Sequence, residues 1–194
     1  MKKAEFDRVS DQVRRAGAIL ENLKKAHTLA EVEARWSDFL VHHHRCFTQL
    51  GIVSKSGGAK GWFDKIRHVR SSDDLLKYLM HARNADEHGL SPVTKATPGS
   101  IGIKPRPGEN SLYIDHLSFK DGRILVGPET AKSALIEVTP SKIDLVDVVD
   151  RGVSYTVPST HDNTPLNSIN LLDVASVAHS YVLRMLEEAR SFVG

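Results

Sequence analysis

Cysteine is almost absent from this chain of 194 residues: Cys46 stands alone. That excludes a disulfide framework and a thiolate zinc site, so any metal would have to be held by His, Asp or Glu. No apolar run approaches the roughly 18 residues of a membrane span. The opening Met-Lys-Lys-Ala-Glu-Phe-Asp has no apolar core of the signal-peptide kind, so a cytoplasmic protein without a membrane partner is expected. Glycine loops of Walker or Rossmann spacing are missing, as are Gly-x-Ser-x-Gly, His-x-x-x-His and His-Glu-x-x-His. These gaps remove nucleotide-cofactor, serine-nucleophile and helical zinc-site readings, and leave neither a cofactor nor a metal to be expected.

What the chain has is histidine and an uneven charge. The net charge of +2 conceals 17 basic and 12 acidic residues up to Lys95 against 9 basic and 12 acidic beyond it. Seven of the ten histidines fall in the basic half. Hydrophobic periodicity divides at the same place, helical before Lys95 and mostly strand-like after it until the last stretch.

A first helix is predicted from Lys3 to Ala26, with Phe6, Val9, Val13, Ala16, Leu20 and Leu23 on one stripe. Thr28 and Glu31 form a capping box for a second helix carrying Leu29, Val32, Trp36, Phe39, Leu40 and Phe47 as far as Gly51. Ser54 to Gly61 reads as a flexible loop before a short helix from Trp62 to Val69. Ser71 and Asp74 are expected to cap a fourth helix, Leu75 to His88, ended by Gly89. From Ser100 to Val157 the signals are those of strands. Leu112 to Lys120 and Arg123 to Val126 flank the hairpin signal Asp121-Gly122; Ala134 to Val138, Ile143 to Val149 and Val153 to Val157 follow, the last two around an Asp150-Arg151-Gly152 turn. A closing helix from Asn170 to Phe192 carries an apolar stripe that must be buried, and the helical half is its natural partner.

The expected fold is therefore mainly α. It is a single domain in which a helical bundle (1–95) is completed by a C-terminal helix (168–194), with a small antiparallel β-sheet (100–157) inserted before that helix.

One segment can carry chemistry. At 100° per residue from Leu75, the apolar side of the fourth helix centres near 60–70°, Arg83 falls at about 80° within it, and Asn84 and His88 lie near 180° and 220°. A charge on a core-facing side must be paired or must face a cleft or an interface. An Arg83–Glu87 pair would satisfy this with no functional meaning. The same residues, Arg83-Asn84-Ala85-Asp86-Glu87-His88, resemble the HEPN family, whose ribonuclease members carry Arg, a polar residue and then His near the end of a bundle helix. The resemblance covers about Met1–Leu90 and Asn170–Gly194. It implies an antiparallel HEPN-like bundle of four or five helices acting as a homodimeric, metal-independent endoribonuclease with RNA as substrate. In defence or toxin settings it also implies a cognate antitoxin or regulatory partner.

The implied chemistry needs little from the protein, because RNA supplies its own nucleophile, the 2′-hydroxyl. His88 would be the general acid or base, at a helix end where the dipole favours positive charge. Arg83 would hold the phosphate and Asn84 would orient the imidazole or ribose, with Asp86 and Glu87 in support. Arg83 and His88 point about 140° apart on one helix, so two copies would be needed to focus both on one phosphate. The non-catalytic alternative is a HEPN-like module that binds RNA, a nucleotide or a protein partner.

Two further features bear on the choice. Lys60, Trp62, Lys65, Arg67 and Arg70 make a basic segment with an aromatic residue, suited to gripping phosphates and stacking bases, or else to a solvated helix face with its aromatics in the core. His42, His43 and His44 fan out by 100° steps and cannot all reach one metal; they read as polar-face or interface histidines before a metal site. Exposed strand edges at Leu112–Phe119 or Val153–Val157 would instead suit strand addition by a partner protein.

Overall fold

The computed structural model describes every residue except Ser56, Leu90 and Asp121. Contacts within it divide the chain into two units. The first joins Met1–Ala96 to Ile143–Gly194, and the second is Thr97–Lys142.

The first unit is built on helices α1 (Lys3–Lys24), α2 (Leu29–Val53), α3 (Gly57–Ser72), α4 (Asp74–Glu87) and α6 (Leu171–Arg190), with the short α5 (Pro128–Ser133) belonging to the second unit. The whole predicted stripe of α1, from Phe6 to Leu23, is buried. Thr28 caps α2 through the expected box with Glu31. Helix α1 packs on α2 and α6, and α4 packs on α2 and α3. The core divides into two clusters. One gathers Trp36, Phe39, Tyr78, Leu79, Val148 and Val174, and the other gathers Phe6, Val9, Phe47, Leu76, Val182 and Met185.

Three expectations need correction. The loop predicted over Ser54 to Gly61 is largely helical, since α3 begins at Gly57, although Ser56 lies outside the described residues. Ala59 and Ile66, seven residues apart, are both buried, and that helical stripe outweighs the low propensity of the glycines. The cap of α4 is Asp73, not Ser71 or Asp74: its side chain accepts from the Leu76 N–H at 3.0 Å. The single inserted sheet is replaced by separate two-stranded ribbons, so the architecture is mixed α/β and not a helical bundle with one inserted sheet.

Of the predicted strands, Leu112 to His116 is irregular, while β3 (Leu117–Lys120) pairs with β4 (Arg123–Val126) around the expected two-residue turn, of which Asp121 lies outside the described residues. In the second unit β2 (Ser100–Pro105) also pairs with β5 (Ala134–Thr139). That unit is tied together by Asp115, which accepts from the Thr130 hydroxyl at 2.6 Å and from the Thr130 N–H at 2.9 Å. The predicted strand Ile143 to Val149 breaks in two. Its first part, β6 (Lys142–Leu145), pairs with β1 (Thr94–Thr97); its second, β7 (Val148–Asp150), pairs with β8 (Val153–Tyr155) and packs on α4 within the first unit. Arg151 (φ 52°) and Gly152 (φ 78°) form the two-residue turn of this hairpin, both in the left-handed region that a type I′ turn requires. The short ribbon of β9 (Thr160–His161) and β10 (Thr164–Pro165) also meets α4.

Asp73 joins that ribbon to the helix start. Besides capping α4 it accepts from the Asp162 N–H at 2.7 Å and from His161 Nδ1 at 3.1 Å. Burial would raise its pKa, but the hydrogen bonds from Asp162, Leu76 and His161 outweigh burial and hold it below the ordinary value. Asp73→Ala should cost about 2–3 kcal/mol in urea denaturation, the combined loss of a helix cap and of an acceptor for a second backbone N–H. Because the folded pKa is depressed, this contribution is complete above about pH 4 and disappears as pH falls through the folded value. The gap between wild type and Asp73→Ala should therefore narrow on acidification.

Candidate functional site

Helix α4 presents two chemically different faces. Arg83 lies on the face turned to α2 and α3, with its side chain 24% exposed, in an ion pair with Glu87 and with Nη1 donating to Asn84 Oδ1 at 3.2 Å. Near it stands Arg70, from the last turn of α3, whose guanidinium lies 4.2 Å above the Phe47 ring and whose Nη2 donates to His44 Nδ1 at 2.9 Å. Among the described residues Arg70 has no carboxylate partner. Burial first, and then the charge of Arg83, bring Arg70 down to about 10. His44 falls to about 4, by burial and then by the charges of Arg70 and Arg83, so at neutral pH it is an uncharged acceptor. Both arginines keep a buried Nε–H with no acceptor. Two guanidiniums with spare donors are suited to an anion with several oxygens.

Arg70 also lines a groove of about 570 Å³ between α2 and α3, together with Lys55, Lys60, Arg67, Asp64, Phe47 and Phe63. Gly51 allows the close approach of these helices, since a Cβ there would lie 2.7 Å from the Phe63 ring. Asp64 pairs with both Lys60 and Arg67, which leaves Lys55 and Arg70, among the described residues, as the cations of the groove without a carboxylate partner. Of the five residues expected to bind RNA, Lys60, Arg67 and Arg70 share this groove, whereas Lys65 is exposed and does not line it. Trp62 is occupied elsewhere: its ring packs 5.6 Å from that of Phe192 and its Nε1–H donates to Glu188 at 2.8 Å.

The opposite face of α4 holds a cluster that the sequence did not reveal. Asp150, at the corner of the β7–β8 turn and 3% exposed, accepts from the Asn84 side-chain amide at 2.9 Å and from His81 Nδ1 at 2.7 Å. The His81 ring stacks on Tyr155, with centroids 3.5 Å apart and planes 11° from parallel. Asn84 first, and then His81, lower the Asp150 pKa through these hydrogen bonds. His81 was visible only as a neighbour of the Arg-to-His motif, and no local signal links it to Asp150, 69 residues away.

His88 is the C-cap residue of α4 and is exposed; its backbone N–H donates to Asn84 O, and its imidazole bonds to no described residue. The Asp86 carboxylate likewise has no partner among the described residues, while Glu87 is committed to Arg83. The three consecutive histidines of α2 part company. His42 bonds to Gln12 at 2.8 Å, His44 to Arg70, and His43 is buried in the core between Phe39 and Phe47, where burial pushes it down to about 3 and keeps it neutral.

Asn84 is the one motif residue whose side chain reaches both faces. Asn84→Ala removes a hydrogen bond from a buried carboxylate and should lower stability by about 1–2 kcal/mol in a urea titration. Asn84→Asp should cost more, because it sets a second carboxylate against Asp150.

No family model, no curated protein and no solved structure matches this chain.

Proposed function

We propose that this chain binds RNA and cleaves it without a metal ion, as a HEPN-like endoribonuclease whose site is completed by a second copy. The observation that carries the reading is the Arg70–Arg83 pair: two partly buried guanidiniums that feel each other's charge, of which Arg70 lacks any carboxylate among the described residues and lines the groove that also holds Lys55. Like charges are brought together in a partly dry place at a cost, and a phosphate oxyanion is the ligand that removes it. Arg83 holds the scissile phosphate, Asn84 fixes the Arg83 side chain through Oδ1, and His88 transfers a proton at the exposed helix end.

A second reading, binding without cleavage, is favoured by one feature. The His88 imidazole has no partner among the described residues to fix its direction, and an undirected imidazole is a poor proton-transfer group.

Incubation with structured and unstructured RNA in EDTA separates the two. The wild type should cleave, and Arg83→Ala and His88→Ala should each lower the rate by about 10²-fold or more. Arg70→Ala should weaken binding and flatten its salt dependence. Cleavage unchanged in both motif variants, or dependent on added metal, rules the mechanism out; binding without cleavage selects the second reading. Light scattering tests the composite site, because a strictly monomeric protein at micromolar concentration would leave it without its other half.

A further inference from the structure

Cleavage by 2′-hydroxyl attack moves two protons, one taken from the nucleophile and one given to the leaving 5′-oxygen. The motif supplies a single histidine. We infer that His81, held by Asp150, is the general base of the site and that His88 is its general acid; this rests on the ribonuclease reading.

The geometry of His81 is that of a working imidazole. A carboxylate can only accept, so the Nδ1···Oδ2 contact of 2.7 Å places the proton on Nδ1 and leaves the lone pair on Nε2. The stack on Tyr155 fixes the ring plane. The side chain remains 16% exposed, and Nε2 is neither bonded to a described residue nor sealed from solvent. A second His–Asp pair provides the contrast. His161 makes the same kind of bond to Asp73, but its Nε2 is buried and unpartnered, as in a pair that only ties two elements together. His81 has the same tie and an open second nitrogen.

Its surroundings suit a phosphodiester. Counting 100° per residue from Leu75, Lys77, His81, Asn84 and His88 fall at about 200°, 240°, 180° and 220°, one polar stripe along α4. His81 and His88 therefore stand on one face, on either side of Asn84. Lys77, one turn before His81, has no ion-pair partner among the described residues and lines a cavity of about 130 Å³ with Tyr155 and Asp74, the latter's carboxylate already accepting from the Thr160 hydroxyl at 2.7 Å. In the proposed step Nε2 of His81 takes the 2′-hydroxyl proton as the bond from O2′ to phosphorus forms. The bond from phosphorus to O5′ breaks, and protonated His88 delivers its proton to O5′. The products are a 2′,3′-cyclic phosphate and a 5′-hydroxyl end, and no electrons leave the system. Asp150 touches no substrate and is a positioning residue.

The test compares wild type, His81→Asn, His88→Ala and Asp150→Asn on a short RNA in EDTA. Asparagine at position 81 keeps a donor for Asp150, so the fold is retained while the base is lost. His81→Asn and His88→Ala should each slow cleavage by about 10²-fold or more. A second substrate carries sulfur in place of the scissile O5′, and its thiolate leaves without a proton. On it the His88→Ala defect should vanish and the His81→Asn defect should persist. Asp150→Asn should lower kcat with little change in KM. It should also move the ¹⁵N imidazole signals of His81 from the Nδ1–H pattern to the Nε2–H pattern; a purely structural tie would show that switch with kcat unchanged, whereas a base directed by Asp150 loses kcat along with it.

Full activity of His81→Asn beside an inactive His88→Ala overturns the inference and leaves the ribonuclease reading standing. Rescue of His81→Asn, instead of His88→Ala, by the sulfur substrate overturns the assignment of roles. Failure of the wild type to cleave any RNA removes the ribonuclease reading and the inference with it.

Discussion

A carboxylate taken out of water stays ionised only if hydrogen bonds replace the hydration it loses, and this requirement fixes how α4 meets the strands that follow it. Asp73 meets it at the helix start by accepting from Leu76, Asp162 and His161, which draws the β9–β10 ribbon onto the helix. Asp150 meets it two turns later by accepting from His81 and Asn84, which draws in the β7–β8 hairpin. The hairpin can present Asp150 this way because Arg151 and Gly152 close it with a tight left-handed turn. Between these anchors Tyr78 donates to Val146 O at 2.8 Å and adds a third polar tie from the same helix. The position of every candidate site residue on α4 follows from these ties.

The other face of the helix is governed by the opposite problem, two positive charges in one partly buried place. Arg70 and Arg83 coexist there because His44 gives up its own charge and becomes an acceptor, because Phe47 offers its ring face to Arg70, and because Glu87 neutralises Arg83. Among the described residues, what is left over is one guanidinium without a carboxylate and two Nε–H groups without an acceptor. The surplus charge of Arg70 is what an oxyanion entering the α2–α3 groove would neutralise, on the proposed reading, through the outer nitrogens of the guanidinium.

The helical stripes were legible in the sequence because each apolar set repeats at helical spacing and is buried by a neighbouring helix. The buried series from Phe6 to Leu23 and from Leu171 to Ala189 shows this. The Thr28 cap was legible because capping is local. The start of α3 was misread because glycines suggest a loop unless Ala59 is counted with Ile66 as one buried stripe. Sheet organisation was misread for a different reason. A strand's pattern says that it will pair but not with which partner, and the break after Leu145 sends β6 to β1 and β7 to β8. In the site, Arg83, Asn84 and His88 could be found because they share one short segment. Asp150 could not, since its meaning comes from a contact across 66 to 69 residues of chain.

The two faces of α4 belong to one chemical task only if something joins them, and Asn84 is placed to do so. Its Oδ1 accepts from Arg83 while its amide donates to Asp150, so one planar group relates the Arg83 guanidinium to the carboxylate that holds His81. Within one copy Arg83 still points away from the stripe that bears His81 and His88, at an angle no rotamer of a pinned side chain can close. A two-fold pairing along the end of α4 presents the same patch from both partners, so that the arginine face of each copy can meet the histidine stripe of the other. On this reading the divergence within one helix becomes the geometric reason for a second copy, and the Asp150 network keeps each half in shape before they meet.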